Sequence, residues 1–124
     1  MVDIDHFKSI NDRYGHAAGD AAIQHVCTLA GRVKREYDLK YRVGGEEFLI
    51  IAPHTSKEQA KLVSERIRLT VAKTPLSFEG QDIWLTVSIG IASSIDKQES
   101  WKSMYELADN ALYLSKEKGR NIVS

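Results

Sequence analysis

The sequence predicts an α+β fold in which helices pack against one central, mostly antiparallel sheet. Three observations carry that prediction. Gly44 and Gly45 are flanked by Leu39, Tyr41 and Val43 on one side and by Phe48 to Ile51 on the other, the signature of an antiparallel hairpin. Ile83, Leu85, Val87, Ile89 and Ile91 alternate strictly with other residues, the period of a strand. Three further stretches repeat their apolar residues at helical spacing. Helices and strands mixed in this order, with a hairpin inside the chain, favour helices on a single sheet in a ferredoxin-like arrangement.

The elements follow in order. The opening strand places Val2 and Ile4 on one side and Asp3 and Asp5 on the other. Residues Lys8 to Tyr14 make a short helix ending near Gly15. Asp20 is then a suitable N-cap for a helix to about Lys34, whose inner face is Ile23, Val26, Cys27, Ala30 and Val33. After the hairpin, Thr55 and Glu58 have capping-box spacing, and Ala60, Val63, Ile67 and Val71 form an apolar stripe that ends before Pro75. The alternating strand over residues 83–91 leads to a third long helix from about Trp101 to Lys118. Its expected buried stripe is Met104, Leu107, Ala108, Ala111 and Leu114, with Gly119 as the C′ residue. A short strand at Asn121 to Val123 closes the chain.

Size and composition narrow the function classes. A chain of 124 residues suits one domain, 1–124, with one site. Its formal net charge of zero removes the simplest case for a nucleic-acid binder, which needs clustered basic excess. No apolar run approaches the length of a membrane span. The single cysteine, Cys27, lies on an apolar helix face and reads as a packed thiol, consistent with a reducing compartment. With no signal-peptide pattern at the start, a cytoplasmic location is expected.

The acidic residues suggest the chemistry. If the first strand neighbours the hairpin, Asp3 and Asp5 converge with Glu46 and Glu47 at one sheet edge. Carboxylate and carbonyl oxygens are what Mg²⁺ takes, with substrate phosphates and water completing its octahedron. Gly44 and Gly45 would let a nucleotide approach the backbone closely. Lys8, Lys116 and Arg120 stand near element ends, where they supply charge to phosphates, and the amides around His6 to Lys8 suit an anion. Phosphoryl or nucleotidyl transfer is the chemistry indicated. Taken singly, each residue has a plainer role: a solvated acidic turn, Asn11 in a local turn, Asp20 as a cap, and Lys116 and Arg120 at a helix C-terminus.

Four ordered motifs, "VDIDHFKSINDRYGHAAGD", "RVGGEEF", "LTVSIGIA" and "ALYLSKEKGRN", resemble the GGDEF domain of bacterial diguanylate cyclases, in the variant whose third signature position is Glu. The resemblance covers nearly the whole chain. It implies a palm-type fold shared with nucleotide cyclases and polymerases, and condensation of two GTP into cyclic di-GMP and two pyrophosphates. It also implies Mg²⁺ held by the Asp3 and Glu46 carboxylates and the Ile4 carbonyl with help from Glu47; Mn²⁺ suits the same donors. Glu46 is implied as proton acceptor for the attacking 3′-hydroxyl, with Glu47 and Lys8 as its catalytic neighbours. Substrate contacts fall to Phe7 and Lys8 at the phosphates with Lys116 and Arg120, to Gly44 and Gly45 beside the nucleotide, and to Asn11, His16 and Asp20 at the guanine. An acidic acceptor facing the N1–H and amino group favours G over A, since adenine has no donor at N1.

A second site is implied at "REYD", where Arg35 and Asp38 match the family's RxxD product-inhibition motif and Arg66 falls where another helix supplies an arginine to bound cyclic di-GMP. Arginine forks suit phosphates and the guanine Hoogsteen edge. The family domain begins earlier than Met1, with a helix and a fuller first strand, so the resemblance implies an N-terminally shortened domain and allows an upstream sensor or membrane domain. Catalysis by this family needs two domains face to face, each with one GTP, so a homodimer is expected. The competing function class is a non-catalytic module that binds GTP or cyclic di-GMP.

Overall fold

The structure, a computed structural model, describes residues 1–94 and 100–124. Its elements run β1 (Val2–Ile4), α1 (Phe7–Tyr14), α2 (His16–Val33), β2 (Leu39–Gly44), β3 (Glu47–Ile51), α3 (Lys57–Lys73), β4 (Leu76–Phe78), β5 (Gln81–Ile83), β6 (Val87–Ile89) and α4 (Trp101–Glu117). The main sheet has the order β2-β3-β1-β6, with each neighbouring pair antiparallel. Omitting the small β4–β5 hairpin, the path through this sheet is the β-α-β-β-α-β path of a ferredoxin-like fold, as expected.

The side-chain period of two explains the layering. Val2 and Ile4 enter the main core with Val26, Phe48, Ile67 and Val71, so α2 and α3 cover that face. On the opposite face Met1 packs with Ala108 and Leu112 of α4. Asp3 lies on β1 between Val2 and Ile4, directed to the α4 face, where it meets Lys116.

Several local expectations are corrected. α2 begins at His16, with Gly15 (φ 93°) as the residue before it, so Asp20 is an exposed position within the helix and not its cap. The capping box of α3 is one residue further on: Ser56 Oγ accepts from Gln59 N at 3.1 Å, and Gln59 Oε1 accepts from Ser56 N at 3.1 Å. Thr55 donates to the Pro53 carbonyl and accepts from Arg35 instead. The stretch over residues 83–91 is not one strand. Ile83 belongs to the β4–β5 hairpin, whose turn is Glu79 and Gly80, both at positive φ, the geometry a two-residue hairpin favours. The sequence signal for it was Gly80 between Phe78 and Gln81.

In α4 the buried side chains are Ala108, Leu112 and Ser115, whereas Leu107 and Leu114 are about half exposed. A buried serine is stable there because its Oγ donates to the Ile89 carbonyl at 2.8 Å. Gly119 (φ 113°) follows the helix as expected. Val123 then makes a single parallel bridge to Ile89, rather than a full last strand.

Candidate active site

The sheet register brings the first acidic pair together. Asp3 on β1 stands opposite Glu47 on β3, and Ile4 N donates to the Glu46 carbonyl at 3.3 Å. The hairpin turn is Gly45–Glu46, closed by the Gly44–Glu47 pair, and Arg42 Nε and Nη2 donate to the Gly45 carbonyl at 3.1 and 2.9 Å. Neither Gly44 nor Gly45 has a left-handed φ, so the turn does not need glycine for its backbone angles. A Cβ at either would meet nothing within 4 Å, so what they contribute is open space beside the carboxylates.

Asp3 is the most perturbed carboxyl of this group. It is 2% exposed, Oδ2 pairs with Lys116 Nζ, and Oδ1 is buried without a hydrogen-bond partner. Burial pushes its pKa up from 3.8 to about 6; Lys116 opposes that rise, while Glu46 and Glu47 add to it. A buried acceptor without a donor is costly in a folded protein. Its unmet oxygen, beside two further carboxylates and no sulfur or imidazole, fits a hard cation such as Mg²⁺. Among the described residues no group of three or more His, Cys, Asp or Glu side chains is already gathered closely enough to hold a metal. The fit therefore rests on Asp3 and its neighbours across the ladder.

Asp5 does not join them, contrary to the expected convergence. Its carboxylate accepts from Ser88 Oγ at 2.6 Å, Thr86 Oγ1 at 2.7 Å and Asn121 N at 2.9 Å.

The pKa of Asp3 makes a stability prediction. A carboxyl whose folded pKa lies above its unfolded value holds its proton more tightly when folded, so its contribution is full below about pH 4 and is lost as pH rises through about 6. In the absence of divalent cation, urea midpoints of the native protein should fall across that window relative to those of Asp3→Asn. The relative change is expected to be on the order of 2 kcal/mol. Parallel curves for the two proteins would show that Asp3 ionises as an ordinary carboxyl.

Beyond β1, α1 and α2 pack as a helical pair joined at Gly15, whose N–H donates to the Asn11 carbonyl at 2.8 Å. Asn11 Oδ1 is a second buried acceptor without a partner. Gly19 creates its place: a Cβ there would stand 1.8 Å from Asn11 Oδ1 and 3.1 Å from Phe7 Cζ. Sequence reasoning missed Gly19, although a glycine inside an otherwise regular helix was a signal of close approach. His16 is exposed at the start of α2. Asp20 is exposed and lines an open cavity of about 630 Å³ between α2 and the β2–β3 hairpin, together with Ile23, Cys27, Lys40, Arg42 and Phe48. Phe7 and Lys8 open α1, whose preceding His6 (φ 53°) provides no side-chain cap. Lys116 and Arg120 sit at the other end of the site, in and just after the last turn of α4.

At the second implied site, Arg35 Nε and Nη2 donate to the two Asp38 oxygens, both at 3.2 Å, and Asp38 is 2% exposed. The guanidinium also lies 4.7 Å over the Tyr37 ring and donates to Thr55. Arg66 is exposed on α3, and no hydrogen bond or ion pair among the described residues ties it to Arg35 or Asp38.

With this geometry in view, the family model described as "Diguanylate cyclase, GGDEF domain" matches residues 1–122. The chain belongs to the GGDEF family. This GGDEF domain is 46% identical over its full length to Diguanylate cyclase A of Treponema denticola and 39% identical over 98% of its length to Diguanylate cyclase DgcP of Pseudomonas aeruginosa. It spans 33% and 18% of those relatives. Among solved structures it is similar to the active GGEEF domain of a diguanylate cyclase from Vibrio cholerae, with 36% identity and a TM-score of 0.91 over 98% of this chain and 77% of that one. It is equally similar in fold to the GGDEF domain of DgcB from Caulobacter crescentus in complex with c-di-GMP, with 39% identity and a TM-score of 0.91 over 99% of this chain and 73% of that one. The α+β fold and the resemblance to this family are thus borne out. Among the described residues no helix is long and apolar enough to cross a membrane.

Proposed function

We propose that this GGDEF domain is a diguanylate cyclase that condenses two GTP molecules into cyclic di-GMP and two pyrophosphates, with one GTP held by each of two facing copies. The observation that carries the reading is the buried Asp3 carboxylate, with one oxygen unmet, paired in the sheet with the acidic hairpin. Asp3, Glu46 and the Ile4 carbonyl, with Glu47 beside them, would hold Mg²⁺ or Mn²⁺. When bound, that cation would neutralise charge at the reacting phosphate and ease ionisation of the attacking hydroxyl.

The chain's own residues account for the remaining tasks. Glu46 sits at the turn tip, where its carboxylate would take the proton of a ribose 3′-hydroxyl. The α-phosphate then gains the new O–P bond as the bond to pyrophosphate breaks. Gly44 and Gly45 leave room for that ribose. The free first-turn amides of α1 around Phe7, with Lys8, Lys116 and Arg120, would bind the phosphates. Asn11 would meet the guanine edge with its unpartnered Oδ1, and Asp20 and His16 would complete the base site.

Lys116 has two roles in this reading. In the structure it pairs with Asp3; with nucleotide bound it would exchange that carboxylate for a phosphate. Lys116→Met is therefore expected to weaken GTP binding about tenfold, the scale of one lost charge-assisted phosphate contact. Mg²⁺ binding without nucleotide should be unweakened or tighter, since Asp3 has lost its competitor. Isothermal titration of each ligand distinguishes the two effects, and an equal loss of both would contradict the exchange.

Arg35, Asp38 and Arg66 are proposed to bind cyclic di-GMP and inhibit the enzyme. Product would have to draw Arg35 from Asp38 and Thr55, since the bonds it makes there close the same groups that would face a guanine. Incubation of the purified domain with GTP and Mg²⁺ tests the main reading. Cyclic di-GMP is the expected product, and nucleotide binding without any product at high protein concentration would replace the enzyme with a binding module.

A further inference from the structure

Asp5 is a buried carboxylate that the chemistry above does not use, and it receives three hydrogen bonds from two separate parts of the chain. Oδ1 accepts from Ser88 Oγ at 2.6 Å; Oδ2 accepts from Thr86 Oγ1 at 2.7 Å and from Asn121 N at 2.9 Å. Its own N–H donates to the Thr86 carbonyl at 2.9 Å. Thr86 and Ser88 belong to β6 and its approach, so those bonds close the β1–β6 edge. Asn121 is different in kind, because it follows the last turn of α4 and lies one residue from Arg120.

The backbone at that point is strained. Arg120 (φ 66°) and Asn121 (φ 52°) are consecutive non-glycine residues in the left-handed region, where a Cβ meets the neighbouring carbonyl. Two such residues in succession persist only where surrounding contacts determine them. Those contacts are present: Arg120 N donates to the Ser115 carbonyl at 3.0 Å, Arg68 Nη1 donates to Asn121 Oδ1 at 3.1 Å, and Ile89 N donates to the Ile122 carbonyl at 3.0 Å. The bond from Asn121 N ends on a carboxyl that is only 5% exposed, where water competes little for it.

We infer that Asp5 is a positioning residue, which locks the strained segment after α4 to the strand bearing Asp3 and so sets Lys116 and Arg120 at the phosphate end of the site. The inference rests on the reading of those two cations as phosphate ligands. It makes β1 and the residue just after it carry both halves of the site: Asp3 directly, and the cationic arm through Asp5. It also explains why an acidic residue occurs twice on the same face with only one of the two left with an unmet oxygen.

The test compares a ligand that has phosphates with one that lacks them. 3′-Deoxy-GTP, which cannot cyclise, and guanosine are titrated with Mg²⁺ into the native domain, Asp5→Ala and Asp5→Asn. Asp5→Ala should weaken 3′-deoxy-GTP about tenfold, as for one misplaced phosphate contact, and change guanosine by less than about twofold, because Asn11 and Asp20 lie on α1 and α2. Asp5→Asn should recover most of the loss, since an amide oxygen still accepts from Asn121 N while the Ser88 hydroxyl turns to accept from the amide. Should Asp5→Ala not fold, Thr86→Val carries the test: it removes one of the donors that fix the Asp5 carboxyl in the orientation that meets Asn121 N, and the same selective loss, of about threefold, is expected. Equal weakening of both ligands, or no weakening of either, overturns the inference while leaving the functional reading standing. A native domain that binds guanosine but gains nothing from the triphosphate overturns both.

Discussion

Replacing Glu46 with alanine should reduce formation of cyclic di-GMP by roughly a thousandfold or more, with the thermal midpoint within about 2 °C of the native domain. The two halves of that expectation have separate causes. The side chain is half-buried at a two-residue turn, and among the described residues no hydrogen bond holds its carboxylate, so removing it leaves the fold's contacts in place. The backbone bond from Ile4 N to the Glu46 carbonyl does not depend on the side chain. Exposed and half-exposed positions of this sort usually change stability by about 0.5 kcal/mol or less. Activity is another matter. Loss of a positioned base costs about 10²–10⁴ in rate, and loss of a charge that organises the reacting phosphate adds to that. Glu46→Gln should be nearly as inactive, because the amide keeps the shape but neither accepts the 3′-hydroxyl proton nor supplies an anionic oxygen. Product measured by chromatography at saturating GTP and Mg²⁺ gives the answer, and retention of more than about a tenth of native turnover by Glu46→Ala would remove Glu46 from the reacting centre.

Much of this site could be read from the sequence, and the parts that could not share a cause. The meeting of Asp3 with the acidic turn followed from two local patterns, a strand ending in carboxylates and a glycine hairpin, and the sheet needed only to place them side by side. Asp5 has the same local pattern. Its fate is decided by Thr86, Ser88 and Asn121, more than eighty residues away, and two of these had been read only as the off-phase positions of a strand. Ser115 was hidden in the same way: a scan for apolar period passes over a buried serine, so the expected face of α4, right at Ala108, was drawn through Leu107 and Leu114 when the Ile89 carbonyl had selected Ser115. Gly19 was hidden because its partner, Asn11, comes from a helix folded back across it. Local periodicity specifies elements and their inner faces. Polar side chains whose bonding partners are distant in sequence set the final rotation of those elements.

Gly90→Ala should have the largest effect on the fold, a loss of about 3 kcal/mol or more and a fall in thermal midpoint on the order of 10 °C. Gly90 is buried and has no left-handed φ, so strain is not the reason; proximity is. A Cβ there would stand 2.1 Å from Leu112 N, 2.3 Å from the Ala108 carbonyl oxygen and 2.7 Å from Leu112 Cα. All three are backbone atoms of α4, so no rotamer change makes room. The helix as a whole must retreat from β6. In doing so it opens the packing of Ala108 and Leu112, stretches the bond from Ser115 Oγ to the Ile89 carbonyl, and moves Lys116 relative to Asp3. GTP binding should therefore weaken even at temperatures where the variant remains folded. Gly45→Ala is the matched control, because its new methyl would meet nothing within 4 Å and its φ is not left-handed. Its thermal midpoint should stay within about 2 °C of native, although activity should drop if the reacting ribose uses that space. Circular dichroism melts of the two variants separate the cases. A Gly90→Ala domain as stable as Gly45→Ala would mean that α4 does not lie directly on β6, and the placement of Lys116 beside Asp3 would then have lost its structural basis.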